Sequence, residues 1–266
     1  MTIKLFVTDL DGTLLNKNHE VSEANKEAIR EIVAKGVTAT IATGRMYASA
    51  LPYAKQLEVD VPIITYNGAL IKSVSGEVIF ESYLDSKIVT EIYEFCAEHN
   101  WYIQAYADDV LYFKEHDKTA KSYEALAGLN GVALGDKLYE ITEKIPKMLI
   151  ITENEAETDA IVPVLQARFK DRIFATKSNP DYIEIVNPSV NKSAALDVLI
   201  EKLHLTKKEV LAIGDSNNDL PMLKTAGFSV AMGNAREHVK AVVSAVTTDC
   251  EHSGVAAAIH KYILKK

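Results

Sequence analysis

The sequence predicts an α/β fold, a parallel sheet covered by helices, which is interrupted by an inserted α+β domain. Three observations predict it. Short apolar runs alternate with helical stretches up to Gly68, the same rhythm returns from Lys192, and the segment between them holds hairpin-like strand pairs and the single Trp. Strands that alternate with helices are typical of a parallel sheet with helical crossovers.

The N-terminal elements alternate between strand and helix. Residues 3–7 form a short, mostly apolar run that predicts a buried strand. Ser22 offers an N-cap for a helix with apolar residues at helical spacing. Residues 37–42 predict a second strand, the next helix is expected to restart at Pro52, and residues 62–66 predict a third strand. We therefore expect these three strands to lie in one parallel sheet.

The middle of the chain changes to a hairpin rhythm. Residues 70–74 and 77–83 flank a Ser-Gly turn, and residues 101–106 and 110–114 form a similar pair around two aspartates. A helix capped by Asp85 or Ser86 separates the two pairs. These features predict a mixed α+β module with its own core.

The first rhythm returns near the end of the chain. Lys192 begins a predicted helix, and residues 210–213 and 228–232 predict further strands. The simplest organisation is an α/β core of residues 1–82 and 189–266, with an inserted domain of residues 83–188.

Four polar loops follow the predicted core strands. They contain Asp9 to Thr13, Thr43-Gly44-Arg45, Asn67-Gly68 and Gly214 to Asp219. Each motif alone fits an ordinary turn or helix cap, and Lys192 alone fits a solvated charge. Because open parallel sheets bind ligands at the carboxyl ends of their strands, the four loops together predict one site. Converging carboxylates there favour a hard cation such as Mg²⁺, which also contacts substrate phosphates.

Charge and cysteine content exclude other classes of protein. The 266 residues include 29 basic and 37 acidic side chains, a net charge of −8, which disfavours a nucleic-acid binder. No apolar run approaches the roughly 20 residues of a membrane span, and the start shows no signal-peptide pattern.

Cys96 and Cys250 are far apart, so we expect free thiols and a cytoplasmic location. The seven histidines show no metal-ligand spacing, and we interpret them as surface or helix-end residues.

The motifs resemble those of the haloacid dehalogenase-like (HAD) hydrolase superfamily. The resemblance rests on Asp9-Leu10-Asp11-Gly12-Thr13, Thr43-Gly44-Arg45, Lys192 and Gly214-Asp215-Ser216-Asn217-Asn218-Asp219, in that order. The inserted segment resembles the C2 type B cap of Cof-type sugar-phosphate phosphatases. Ser193 follows the lysine where many relatives have Gly, a small residue in both cases. The resemblance implies a Rossmann-like core and a cap that selects the substrate.

The resemblance also implies a role for each residue. Asp9 is expected to attack phosphorus, and Asp11 to act as general acid and then base. Asp9, the carbonyl of Asp11 and Asp215 are expected to bind Mg²⁺, with Asp219 orienting the ligands of the metal. Thr43 and Lys192 are expected to stabilise the phosphoryl group. We also expect substrate or phosphate contacts from Gly44, Arg45, Asn67, Gly68 and Asn218.

Three functions are compatible with the motifs. The first is an Mg²⁺-dependent phosphatase acting on small phosphorylated metabolites, chiefly sugar phosphates. The second is a phosphomutase, which returns the phosphoryl group to a sugar. The third is a ligand-sensing or nucleic-acid-binding protein on a retired hydrolase fold, against which the intact Asp9, Asp11, Lys192 and Asp215 argue. The motifs leave the substrate and the oligomeric state open.

Overall fold

The structure is a computed structural model that describes residues 2–58 and 62–266. The predicted core range also includes Met1 and residues 59–61, which lie outside the described residues. The strands are β1 Leu5–Thr8, β2 Thr38–Ile41, β3 Ile63–Thr65, β4 Leu70–Lys72, β5 Val78–Glu81, β6 Ile103–Ala107, β7 Val110–Phe113, β8 Val132–Ala133, β9 Lys147–Ile151, β10 Phe174–Asn179, β11 Tyr182–Val186, β12 Val210–Gly214, β13 Phe228–Ala231 and β14 Ala245–Val246. The α-helices are α1 Glu23–Ala34, α2 Tyr47–Gln56, α3 Ser86–Glu98, α4 Lys118–Ala127, α5 Glu155–Phe169, α6 Lys192–Lys202, α7 Leu220–Thr225, α8 Glu237–Lys240 and α9 Gly254–Ala258.

The chain divides into two compact units. The first unit runs to Gly44 and includes Ala50–Phe80 and Asn191–Lys266. The second unit consists of Glu81–Val190 together with Arg45–Ser49. No helix among residues 2–58 and 62–266 combines the length and the apolar character that a membrane crossing requires.

The first unit is built on a five-stranded parallel sheet in the order β14-β13-β12-β1-β2. β1 pairs with β2 on one side and with β12 on the other, both in parallel. All four residues of β1 are buried, as expected for a strand covered on both faces. The predicted α/β fold class is confirmed, and the strand order reverses at β1.

Two expectations in this unit are wrong in detail. β3 belongs to a separate three-stranded sheet, β3-β4-β5, and touches the parallel sheet through a single bridge between Ala42 and Ile64. The hairpin that follows β3 pairs with it in antiparallel fashion along one edge, and on its other edge the Ile64 carbonyl accepts from the Thr43 N–H. Pro52 lies inside α2 and does not restart a helix. The buried Ala50 and Ala54 pack this helix onto the core, which offsets the one hydrogen bond that proline removes.

Local sequence explains the helix starts. The Ser22 hydroxyl accepts a hydrogen bond from the Asn25 backbone at 3.2 Å and caps α1, as predicted. Asp85 caps α3 by accepting from the backbone N–H groups of Lys87 and Ile88. Asn191 caps α6 in the same way, which fixes the orientation of the first helical turn.

The second unit is an α+β module around a six-stranded sheet in the order β10-β11-β9-β6-β7-β8. Its pairs are antiparallel except for β7 with β8. The hairpin between β6 and β7 turns at Asp108 and Asp109, both with positive φ. One face of the sheet packs against helices α3 and α5 through an apolar cluster that includes Val89, Met148 and Leu165. Hydrophobic burial therefore gives this unit a core of its own.

Candidate active site

The carboxyl ends of β1 and β12 bring three carboxylates together. The two strands are parallel neighbours, with Thr8 opposite Ile213, so the loops that follow them leave the sheet side by side. This is the point where the strand order reverses, the usual ligand position in open parallel sheets. One carboxylate oxygen from each of Asp9, Asp215 and Asp219 lies within 4.8 Å of the other two.

A buried lysine joins two of these carboxylates. Lys192 is the first residue of α6, and its Nζ donates to Asp9 Oδ1 at 2.6 Å and to Asp219 Oδ1 at 2.7 Å. The Lys192 side chain is 0% exposed. A buried charge is costly unless it is paired, and here each hydrogen bond goes to a carboxylate. The structure therefore brings together residues that lie 183 and 27 positions apart in the sequence.

Hydrogen bonds hold the acidic side chains in fixed orientations. Asp219 Oδ2 accepts from the backbone N–H groups of Asp215 and Ser216, each at 3.0 Å. Asp215 Oδ1 accepts from the Thr13 hydroxyl at 2.7 Å. Gly12 has φ +75°, and a Cβ there would lie 2.7 Å from Asp215 Oδ2. Glycine is thus required between Asp11 and Thr13 both for the backbone conformation and for the close approach of the second loop.

The electrostatics of the cluster are dominated by negative charge. Burial raises the pKa of Asp9 well above its ordinary value, and the Asp219, Asp215 and Asp11 carboxylates raise it further, against the opposing effect of Lys192. Burial and the neighbouring Asp219 raise the pKa of Asp215 to about 6. Burial lowers the pKa of Lys192, but the two carboxylates beside it outweigh this effect and leave the pKa raised.

The donor set fits a divalent metal ion. The cluster contains three carboxylates and one lysine, so it retains excess negative charge that a cation would neutralise. All the candidate ligand atoms of Asp9, Asp215 and Asp219 are oxygens, the donors that hard divalent cations prefer. Burial and mutual repulsion of these groups are physical reasons for a cation at this point.

Hydrogen bonds join the second loop, at Thr43, to the third, at Asn67, and the third to the fourth, at Asn218. Thr43 is buried, its N–H donates to the Ile64 carbonyl at 2.9 Å, and its carbonyl accepts from the Asn67 N–H at 3.0 Å. Gly44 lies against the Asn67 side chain. Asn218 Nδ2 donates to Asn67 Oδ1 at 3.1 Å, so Asn67 links the three loops.

Gly68 allows the third loop to approach the start of α6 closely. Its φ is +108°, and a Cβ there would lie 2.5 Å from the Asn191 carbonyl. Any side chain would therefore displace the start of α6 and, with it, Lys192.

Arg45 lies in the second unit of the chain. Its Nη1 donates to the Ser49 hydroxyl at 3.2 Å, and that hydroxyl donates to the Ala127 carbonyl at 2.7 Å. The structure thus groups Arg45 with the second unit, apart from the other predicted loop residues, which belong to the first.

Asp11 has a neighbour that the sequence does not predict. His19 Nδ1 lies 3.6 Å from Asp11 Oδ1. The sequence predicts only surface or helix-end histidines because a lone His carries no spacing signal. Its position eight residues after Asp11, across a tight turn, was the available clue.

A family model for haloacid dehalogenase-like hydrolases matches residues 6–259. The chain belongs to this family. Among curated proteins, the hydrolase is 32% identical to 5-amino-6-(5-phospho-D-ribitylamino)uracil phosphatase YcsE of Bacillus subtilis (strain 168) over 98% of this chain and 96% of the relative. Among solved structures, a haloacid dehalogenase-like hydrolase from Bacteroides thetaiotaomicron is 33% identical with TM-score 0.90, over 98% of this chain and 99% of the other. A Thermotoga maritima protein is 34% identical with TM-score 0.88, over 98% and 97% of the two chains.

These similarities confirm the Cof-type HAD resemblance. Curated relatives such as YcsE and YwpJ of Bacillus subtilis are named as phosphatases, and this HAD-like hydrolase is a phosphoric monoester hydrolase. Both cysteines are buried free thiols, as the sequence predicts.

Proposed function

We propose that this HAD-like hydrolase is an Mg²⁺-dependent phosphatase of small phosphorylated metabolites, chiefly sugar phosphates, acting through a phosphorylated Asp9. One observation carries the proposal: Asp9 is buried at the end of β1, fixed by Lys192 at 2.6 Å and grouped with two further carboxylates. A carboxylate held in this way is a preorganised nucleophile.

The first half-reaction transfers the phosphoryl group to the enzyme. An Asp9 oxygen attacks phosphorus, and the bond from phosphorus to the leaving oxygen breaks. Protonated Asp11 donates its proton to that oxygen, so the product leaves as an alcohol. The enzyme now carries the phosphoryl group on Asp9, and Asp11 is ionised.

The second half-reaction restores the enzyme. Ionised Asp11 takes a proton from water while the water oxygen attacks phosphorus. The bond between phosphorus and Asp9 breaks, inorganic phosphate leaves, and Asp9 is again a carboxylate. Asp11 ends the cycle protonated, as it began.

The metal site is assigned to Asp9, the carbonyl of Asp11 and Asp215. Mg²⁺ bound there supplies positive charge that reduces repulsion between a carboxylate nucleophile and a phosphate dianion. Asp219 is assigned to orient these ligands, since both its oxygens accept hydrogen bonds, from Lys192 on one side and from backbone N–H groups on the other.

The remaining first-unit loops are assigned to the phosphoryl group. Thr43 and Lys192 are proposed to stabilise its charge, because preorganised donors in a buried site are worth more than donors in water. Asn218, with Gly44, Asn67 and Gly68, is proposed to hold the phosphate end of the substrate. Asn67 supports this assignment by linking the loops that carry Thr43 and Asn218.

The leaving group is assigned to the second unit, the proposed cap. All the carboxylates and the lysine of the cluster belong to the first unit, which leaves the second unit available for selectivity. Arg45 belongs to that unit and is proposed to contact substrate. The relative YcsE is named for a substrate with a phospho-D-ribityl group, which supports a phosphorylated sugar or polyol here. Two free thiols favour a cytoplasmic enzyme.

The test is phosphate release from a panel of sugar phosphates, nucleotides and p-nitrophenyl phosphate, with Mg²⁺ or with EDTA. We expect Mg²⁺-dependent turnover, best with a sugar phosphate, and free phosphate as the labelled product. Asp9→Asn should abolish turnover because an amide cannot attack as an anion. Residual activity above about 1% of the parent would exclude Asp9 as nucleophile, since loss of a covalent nucleophile removes far more than that. Transfer of label to a second sugar would instead indicate a phosphomutase.

A further inference from the structure

We propose that His19 is a positioning residue that orients the Asp11 carboxyl for proton transfer. The inference rests on the proposed function, in which Asp11 is the acid and base of both half-reactions. It begins from one distance, 3.6 Å between His19 Nδ1 and Asp11 Oδ1. This separation exceeds a hydrogen bond, but the polar contacts of catalytic groups are often long without substrate and tighten when substrate binds.

The turn that carries His19 has a defined shape. The Asn16 side-chain oxygen accepts from the backbone N–H groups of Asn18 at 3.0 Å and Glu20 at 2.9 Å. The Asn16 N–H donates to the Glu20 carbonyl at 3.0 Å. The Tyr53 hydroxyl donates to the His19 carbonyl at 3.3 Å. The imidazole is therefore attached to a backbone that is held on both sides.

The backbone of His19 has a left-handed conformation, which His adopts more often than most non-glycine residues. Its φ is +58°, in the left-handed region that Gly and Asn occupy most readily. A non-glycine residue held there has a conformational cost. In this conformation the imidazole nitrogen comes near the Asp11 carboxyl, which is a reason for histidine at this position.

Asp11 depends on polar contacts for its orientation more than its neighbours do. Its side chain is 47% exposed, whereas the Asp9 side chain is 7% exposed and that of Asp219 is 0% exposed. Packing restricts an exposed carboxyl less than a buried one. A general acid must nevertheless lie within hydrogen-bond reach of the leaving oxygen. A neutral imidazole with a proton on Nδ1 is a sufficient donor to hold it.

Two substitutions separate the imidazole from the backbone. His19→Asn keeps a residue that tolerates positive φ, and its amide nitrogen is bonded to Cγ as Nδ1 is, so it retains a donor at the same position along the side chain. His19→Gly keeps the backbone freedom and removes the donor. Asn18→Ala truncates the adjacent exposed side chain of the same turn and serves as the matched control.

The measurements are kcat and KM for the best sugar phosphate of the panel and for p-nitrophenyl phosphate. We expect His19→Gly to lower kcat for the sugar phosphate roughly tenfold, less than loss of the acid itself, with KM and the Mg²⁺ requirement near those of the parent. The loss should be smaller with p-nitrophenyl phosphate, whose leaving group needs little protonation. His19→Asn and Asn18→Ala should stay close to the parent.

A double-mutant cycle gives the decisive result. In the Asp11→Asn background, His19→Gly should cause no further loss, because His19 acts only through Asp11. An equal loss in both backgrounds, equal losses with both substrates, or failure of His19→Asn to rescue would overturn the proposal. If Asp9→Asn retains turnover, the proposed function fails and the role of His19 falls with it. If Asp9→Asn is inactive and His19→Gly matches the parent, only the positioning role is wrong.

Discussion

Each of the two units contains a buried lysine, and the two lysines differ in their charge surroundings. In the first unit, Lys192 is 0% exposed and donates to both Asp9 and Asp219, with Asp215 adjoining them. In the second unit, the Lys147 side chain is 3% exposed and lies 3.2 Å from Glu184. The first cluster holds more carboxylates than cations, whereas the second ion pair is balanced.

The balanced pair has the features of a structural element. Lys147 Nζ also lies 4.9 Å from the centre of the Tyr106 ring, a cation–π distance. Gln104 donates to the Tyr106 hydroxyl at 2.9 Å, on the sheet face opposite the apolar cluster. A buried one-to-one ion pair contributes little net stability relative to apolar side chains, but removing one partner leaves a costly unpaired charge.

The comparison separates burial from function. Both lysines are buried, so burial alone does not identify an active site. An excess of like charge indicates an active site, because a folded protein keeps repelling carboxylates together only at a cost in stability. That cost is offset when a cation and a phosphoryl group occupy the site.

The largest expected effect comes from removing each lysine in turn. Lys192→Met should lower kcat for phosphate release by roughly 10³-fold, because it removes a preorganised charge from the reacting group. Lys147→Met should leave kcat for p-nitrophenyl phosphate within a few-fold of the parent. The assay is steady-state phosphate release by variants that circular dichroism shows to be folded, with Lys192→Arg as a second variant if the methionine protein does not fold. Similar losses for both lysines would remove the distinction between the clusters.

The second effect is on stability in the second unit. Lys147→Met should lower the free energy of unfolding by about 3–5 kcal/mol, since it leaves Glu184 buried without its charged partner. Adding Glu184→Leu should recover most of that loss, because two apolar residues can replace a balanced pair. The free energy of unfolding is measured by urea denaturation for the parent, Lys147→Met, Glu184→Leu and the double variant. A double variant no better than Lys147→Met would contradict the structural role of the pair.

The smallest effect concerns the excess charge of the first cluster. In EDTA, Asp9→Asn should unfold at the parent temperature or roughly 2–4 °C higher, about 1 kcal/mol for a chain of this size, because one of the repelling carboxylates is removed. Mg²⁺ should stabilise the parent more than the variant. Thermal melts with and without Mg²⁺ provide the comparison, and a clearly lower melting temperature of the variant in EDTA would show that Asp9 stabilises the metal-free fold.

The local elements of the fold were accessible from the sequence because they depend on near neighbours. The Ser22 cap, the hairpin at Asp108-Asp109 and strand β11 all follow from residue types within a few positions. The prediction of a helix restart at Pro52 is wrong because tertiary packing tolerates a proline inside α2. The prediction that β3 lies in the parallel sheet is wrong because its main partner is the hairpin strand β4, and strand pairing is a tertiary property.

The motif residues were likewise identifiable as a set. Their order along the chain and their positions after strands suggested one site, and the structure brings the carboxylates of Asp9, Asp215 and Asp219 together. Local pattern could not assign Arg45 to the second unit or detect the contact of His19 with Asp11. The position of Arg45 depends on its hydrogen bond to Ser49. The position of His19 depends on the hydrogen bond from the Tyr53 hydroxyl to its carbonyl.

The sequence by itself determined most of the strands and helices, the loop chemistry and hence the family, because apolar periodicity, caps and short motifs are local properties of the chain. Only the tertiary structure decided which charges meet. A lysine at a helix start is ordinarily solvated, yet Lys192 is fully buried between carboxylates 183 residues before it and 27 residues after it. Lys147 pairs with Glu184 on the adjacent strand, 37 residues away in the sequence. Ion pairs of this kind depend on strand order and register, which the whole fold fixes.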